Sequence, residues 1–190
     1  MIKQLFFLFL SFFSYAAAET ISAEEPFVEH PFQSVSHVDL DRYMGTWYLI
    51  SRLEFPWDRA CFHNPIAIYT KKADGTIHVF NQCQMDNFFN TVQKAEGTVE
   101  VVDTKTNSQL KVSYPVTKRY KGIPNGDYWI IVLADDYSYA AVSEPTKQHL
   151  WIYSRKRDLP QDIYQSILDK VVLMMPELNV LNVLRTKQDP

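Results

Sequence analysis

The chain has 190 residues, 46% hydrophobic, 14% aromatic and 22% charged, with 19 basic and 22 acidic side chains for a net charge of -3. That apolar share excludes a disordered chain, and the absence of a basic excess excludes a protein that grips nucleic acid through its phosphates. The length suits one compact domain whose core needs no metal or disulfide to fold.

Met1 to Ala18 opens with Lys3, runs through the apolar stretch Leu5 to Phe13 and ends in Ala16-Ala17-Ala18 before Glu19. Residues 1–18 therefore read as a secretory signal peptide cleaved near Ala18. The apolar run falls well short of the roughly 20 residues of a spanning helix. No cysteine stands at the cleavage point for acylation, the nearest being Cys61. The expected product is a soluble exported protein, periplasmic or secreted, with 18 basic against 22 acidic residues once Lys3 is removed. In an oxidising compartment Cys61 and Cys83 form a natural disulfide pair, with two reduced thiols as the other reading. If a two-residue turn at Asp74-Gly75 closes the hairpin, register sets Cys83 opposite Ile66, and bridging then requires the segment Cys61 to Pro65 to loop back.

Residues 19–38 are polar, contain Pro26 and Pro31 and show no period, as expected of an extended N-terminal arm. The domain proper is expected over 39–190. It begins with short runs rich in Val, Ile, Tyr, Thr and Trp: Thr46 to Glu54, Ile66 to Lys71, Thr76 to Gln82, Thr91 to Asp103, Gln109 to Tyr114, Asp127 to Ala134, Tyr139 to Glu144 and His149 to Ser154. Turn residues separate them, and strands at such spacing predict an all-β barrel or sandwich. One helical pattern follows at about 160–175, with Pro160 at its start, Asp162 in its first turn, and Ile163, Ile167, Leu168, Val171 and Val172 on one apolar face. It is expected to pack on the outside of the barrel, and Asn179 to Leu184 is expected as a short edge strand. Only five glycines occur in the chain, and Gly97, inside the fourth run, marks a bulge or sharp bend.

Three motifs carry a family resemblance. Gly45-Thr46-Trp47-Tyr48 at the start of the first run resembles the lipocalin signature. Leu150-Trp151-Ile152-Tyr153-Ser154-Arg155 resembles the last-strand motif of that family, and Asp135-Asp136-Tyr137 its third block. The resemblance covers about residues 38 to 185, and the stretch Tyr69 to Cys83 is most similar to the bacterial and apolipoprotein D-like branch. It implies an eight-stranded up-and-down antiparallel β-barrel with one C-terminal α-helix packed outside. It also implies that Arg155 packs over a buried Trp47, a cation–π contact worth about 1–2 kcal/mol when partly desolvated. Gly45, Trp47, Asp136, Tyr137 and Arg155 are thus structural residues.

A barrel of eight strands is wide enough to hold one small ligand if inward side chains leave room, and a solid core is the alternative. Alternation from Trp47 points Leu49 and Ser51 inward. The resemblance adds Ala67 and Tyr69 on the second strand and Ile77, Val79 and Asn81 on the third, and Tyr128, Ile130 and Val132 follow on the sixth. An aliphatic wall with phenol and amide groups suits a fatty acid or lysophospholipid better than a polar solute. The longer connections fall at one end, the expected mouth. They carry Phe55, Trp57, Phe88 and Phe89 with Lys118, Arg119, Tyr120 and Lys121, a portal able to grip an acyl chain and an anionic head group, or an ordinary solvated rim.

Catalysis ranks lower. Cys61 with His63 is the one conceivable nucleophile and base, and a disulfide would remove its thiolate. The five histidines show no metal-ligand spacing, and there is no phosphate-binding glycine loop. The expected function is binding, storage or transport of a small hydrophobic ligand. A lipocalin-type isomerase or de-epoxidase is the alternative, and a filled barrel serving as an envelope scaffold is a third. No cofactor, metal or nucleic acid is expected; the expected partners are that ligand and, transiently, the envelope membrane, for a monomer or weak homodimer.

Overall fold

The structure is a computed structural model that describes residues 30–53, 61, 63–85, 91–115 and 126–189. A one-turn helix α1 (Leu40–Tyr43) precedes eight antiparallel strands: β1 (Gly45–Leu53), β2 (His63–Lys71), β3 (Ile77–Gln84), β4 (Val92–Val101), β5 (Gln109–Ser113), β6 (Gly126–Leu133), β7 (Tyr139–Ser143) and β8 (Leu150–Ser154). Helix α2 (Gln161–Met174) follows, then a 3-10 turn at Val180–Asn182 and strand β9 (Val183–Arg185). Each of β1 to β8 pairs with its sequence neighbour, and β1 pairs with both β8 and β2, which closes the barrel; β9 adds to β1. The eight strands and the outer helix appear where the sequence predicts them; of the edge strand expected over Asn179 to Leu184, only Val183 and Leu184 are in β9, and Val180–Asn182 form the 3-10 turn.

Alternation along the strands sorts side chains into two cores. The inner one holds Trp47, Leu49, Tyr69, Val79, Val99, Leu110, Tyr128, Ile130 and Tyr153. The outer one seats Tyr164, Ile167, Leu168 and Val171 of α2 against Ile50, Ile131, Val132, Ala141 and Ile152. Two register shifts decide which residues belong to which. One lies between Leu49 and Ser51 of β1 against β8, the other between Ile130 and Val132 of β6 against β7. Each bulge turns two consecutive residues toward the helix, because the extra residue breaks the two-residue period.

The tight turns meet at one end, where α1 seals the barrel. Asp39 Oδ1 caps α1 by accepting from the backbone N–H of Asp41 and Arg42 at 2.9 and 3.2 Å. The Val38 N–H donates to the Thr106 carbonyl at 2.7 Å, Arg42 Nη2 to the Asp135 carbonyl at 2.9 Å, and Lys71 Nζ pairs with Asp41 at 2.9 Å. Trp47 is wholly buried, its Nε1 donating to the Tyr43 carbonyl at 2.9 Å. The Arg155 guanidinium lies 3.8 Å from the Trp47 ring centroid and donates to the carbonyls of Thr46, Arg42 and Tyr43 at 2.9, 2.7 and 3.1 Å. Gly45, at φ +95, makes the turn into β1 beside that guanidinium. The Tyr137 hydroxyl oxygen joins the same cap by accepting from the Asp39 N–H at 2.8 Å, while Asp136 accepts from the Ser138 N–H at 2.9 Å. The Ser138 hydroxyl, and after it that N–H, hold the Asp136 carboxyl below its ordinary range.

The β2–β3 hairpin corrects the expected turn. Lys71 pairs with Ile77, so the connection is five residues, not two, and Ile66 faces Gln82 in place of Cys83. Asn64, at φ 51, then shifts the register between His63 and Ile66, and this brings Cys61 and Cys83 to a Cα separation of 5.6 Å, where they are joined as a disulfide.

Candidate functional site

A cavity of about 440 Å³ occupies the barrel interior. That is within the roughly 300–1,000 Å³ range of small-ligand sites. Its wall takes Leu49 from β1, Ala67 and Tyr69 from β2, Asn81 from β3, Ala95 from β4, Val112 from β5, Tyr128 from β6 and Tyr153 from β8. Five of the sequence-predicted residues, Leu49, Ala67, Tyr69, Asn81 and Tyr128, therefore come together around it.

The other five do not border it. Ile77, Val79 and Ile130 point inward but belong to the packed inner core, away from the cavity. Ser51 and Val132 correct the strict alternation: the bulge before each turns it outward. Ser51 Oγ lies 3.1 Å from the Tyr164 hydroxyl of α2, and Val132 packs in the helix-facing core. The expected mouth residues Phe55, Trp57, Phe88, Phe89, Lys118, Arg119, Tyr120 and Lys121 lie outside the described residues.

The floor is phenolic. The hydroxyls of Tyr43 and Tyr128 are 2.8 Å apart, and the Tyr43 ring stands 5.6 Å from Tyr69 and 4.9 Å from Trp47. Higher on the wall, Asn81 Nδ2 donates to the Tyr114 hydroxyl. Burial pushes the Tyr69 and Tyr128 phenols well above their usual range and Tyr114 up to about 12, so all stay protonated at neutral pH.

Charged groups gather at the end opposite α1. Arg52, brought inward by the β1 bulge, is 1% exposed and donates from Nη1 to the Cys61 carbonyl at 2.8 Å. Lys94 and Asp127 border the cavity nearby. Glu144 is held in the β7–β8 connection, accepting from the N–H groups of Thr146, Gln148 and His149 at 2.6, 2.7 and 3.1 Å, with the His149 ring also 3.1 Å away. Burial acts to raise its carboxyl, and the hydrogen bonds from Thr146 and His149 outweigh that and hold it below the ordinary range. Arg52, Glu144, His149, Trp151 and Tyr153 escaped the sequence reading. For Tyr153 the signal was present, since alternation from Trp151 along β8 points both inward. For Arg52 it was hidden by the bulge.

A lipocalin-like domain model matches residues 38–178. The chain belongs to the lipocalin family. The lipocalin is 31% identical over 140 residues to temperature-induced lipocalin-1 of Arabidopsis thaliana, covering 73% of this chain and 74% of the relative. It is 29% identical over 153 residues to the outer membrane lipoprotein Blc of Escherichia coli K12, covering 80% and 82%. It is also 30% identical over 140 residues to apolipoprotein D of Cavia porcellus, covering 69% and 68%. These relatives set the lipocalin in the bacterial and apolipoprotein D-like branch. Insecticyanin of Manduca sexta shares the fold, with TM-score 0.65 at 18% identity over 86% of this chain and 87% of its own. Family membership goes with binding and transport of small hydrophobic ligands, and both cysteines of this lipocalin are engaged with each other, so neither sulfur is a free thiolate.

Proposed function

We propose that the chain binds a fatty acid or lysophospholipid for storage or transport, with the hydrocarbon in the barrel and the anionic head at the mouth. The carrying observation is the lining: Leu49, Ala67, Ala95 and Val112 form an apolar wall, and the charged Arg52 and Lys94 stand at the end away from α1. Apolar contact supplies affinity and a few polar groups fix orientation. The contacts of this ligand are Leu49, Ala67, Tyr69, Asn81 and Tyr128 in the cavity, with Phe55, Trp57, Phe88, Phe89, Lys118, Arg119, Tyr120 and Lys121 at the mouth. The protein acts as a monomer or weak homodimer after export to the periplasm or the medium, and meets the envelope membrane transiently. The leader-like residues 1–18 and the disulfide support export.

The test is native mass spectrometry of the purified protein titrated with a fatty acid and with its alcohol analogue, after organic extraction of retained lipid. Both are expected to bind. Charge reversal at Lys118, Arg119 and Lys121 is expected to weaken the acid by roughly tenfold, as for lost charge-assisted hydrogen bonds, and the alcohol by less. Equal loss for both removes the head-group role, and uptake of neither overturns the reading.

A further inference from the structure

We propose that the groove between α2 and the C-terminal segment is the docking site of the chain's own residues 24–28, with Phe27 seated in the groove and Glu25 paired with Arg185. The inference concerns the outside of the barrel and stands independently of the acyl-binding reading.

The groove, of about 730 Å³, is walled by Leu168, Val172 and Leu173 of α2 on one side and by Leu178 and Val183 on the other. Val180, also on its wall, is 42% exposed. Helix α2 packs on the barrel through Ile167 and Val171 and turns a second apolar strip, Leu168 and Val172, toward the groove. Contiguous apolar surface of this kind marks a contact face. One end of the groove holds a cation. The Arg185 guanidinium lies 4.2 Å from the Tyr164 ring centroid, and both residues line the groove. A guanidinium stacked on a ring keeps its N–H edge for a carboxylate. Among the described residues no carboxylate is paired with it. Asp169, the acid on the groove's lining, accepts from Gln165 Nε2 at 2.9 Å.

The chain delivers an occupant to the other end. The His30 N–H donates to the Leu173 carbonyl at 3.0 Å, so the residues before His30 start from the groove's rim. From Leu173 back to Tyr164, α2 rises about 13–14 Å at 1.5 Å per residue. An extended chain covers that distance in about four residues, at about 3.3 Å each. Counting back from Glu29, this brings Glu25 level with Tyr164 and Arg185. Glu25 and Phe27 are two apart and share one face of an extended segment, and Pro26 holds the residue before it extended. That face offers a phenyl ring to the Leu168–Val172 strip and a carboxylate to Arg185. Tethered at the rim, the segment acts at an effective concentration of about millimolar, an advantage that a second copy of the chain lacks.

Limited proteolysis of the exported protein with chymotrypsin, the cut bonds read by mass spectrometry, tests this. Cleavage at Phe27–Val28 is expected to be roughly tenfold slower than in a peptide of the same sequence, because it tracks the undocked population. Arg185→Glu is expected to raise it to the peptide rate, and the charge swap of Glu25→Arg with Arg185→Glu to slow it again, each against its matching peptide. Unchanged resistance of bonds within β6 and β7 shows that a variant is folded. Val172→Glu, on the half-exposed wall of the groove, is expected to free the segment without touching Arg185. A peptide-like rate in the natural protein, or slow cleavage that survives both Arg185→Glu and Val172→Glu, overturns the inference. Resistance of Phe27–Val28 that is lost on dilution also overturns it and assigns the groove to a second copy.

Discussion

A Cβ at position 97 would stand 2.7 Å from the Ser113 carbonyl oxygen and 2.9 Å from the Tyr114 ring. The missing methyl is what lets β5 and the Tyr114 that follows it close over β4, and so lets that phenol reach Asn81 across the cavity wall. Gly97→Ala is expected to cost about 1–3 kcal/mol by overpacking, read as a lower denaturant midpoint. Gly126→Ala, where a Cβ meets nothing within 4 Å, should change the midpoint little. The sequence flags Gly97 as a strand glycine needing a reason; the β3–β4 register runs through it without a bulge, and the reason is a close approach. Trp47 and Arg155 were legible for another cause. A buried indole and a guanidinium above it need particular residue types at particular strand positions, and no substitute keeps both the plug and the donors to three carbonyls.

At the scale of elements, β1 and β2 pair only from Gly45–Tyr69 to Tyr48–Ile66. Beyond that they part, and the C-terminal segment fills the gap. β9 pairs with Ser51 to Leu53, the Thr186 N–H donates to the Ile50 carbonyl at 2.9 Å, and Gln188 Nε2 donates to the carbonyls of Leu49 and Pro65, both at 3.0 Å. Asn64 and Asp189 then hold each other, with the Asp189 N–H donating to Asn64 Oδ1 at 2.8 Å. The tail thus supplies the donors that the β1 bulge leaves its carbonyls needing. Removing residues 183–190 is expected to destabilise the barrel by about 3–5 kcal/mol, several hydrogen bonds at about 1 kcal/mol each, with faster proteolysis at the β1–β2 seam as a second readout. Element identity was readable because β-branched and aromatic runs, turn residues and one helical period mark it. The facing of Ser51 and Val132 was not, since a bulge leaves no mark in an apolar run such as Trp129 to Leu133 and shifts every residue after it. Nor does alternation encode depth: it points Ile77, Val79 and Ile130 inward like Leu49, yet they belong to the packed end.

For the molecule as a whole, the barrel is a cup sealed by α1 and the three tight turns, and its two fastenings lie on one side. The C-terminal segment clasps β1 to β2, and the Cys61–Cys83 bridge ties the start of β2 to the end of β3 across a separation of 22 residues. By loop-closure entropy the bridge is worth about 3 kcal/mol. Replacing both cysteines with serine should lower the denaturant midpoint accordingly and make it insensitive to added reductant, whereas the natural protein should lose stability on reduction. The contact of Tyr43 with both the cap and the floor has an optical consequence. Its carbonyl holds the Trp47 indole N–H at 2.9 Å, its ring lies 4.9 Å from that indole, and its hydroxyl meets Tyr128 at 2.8 Å. The chromophore at the base of the cup is thereby wired to the deepest polar atoms of the cavity. A molecule that arrives there is expected to shift the emission of Trp47, read in a variant whose Trp57, Trp129 and Trp151 are replaced by phenylalanine.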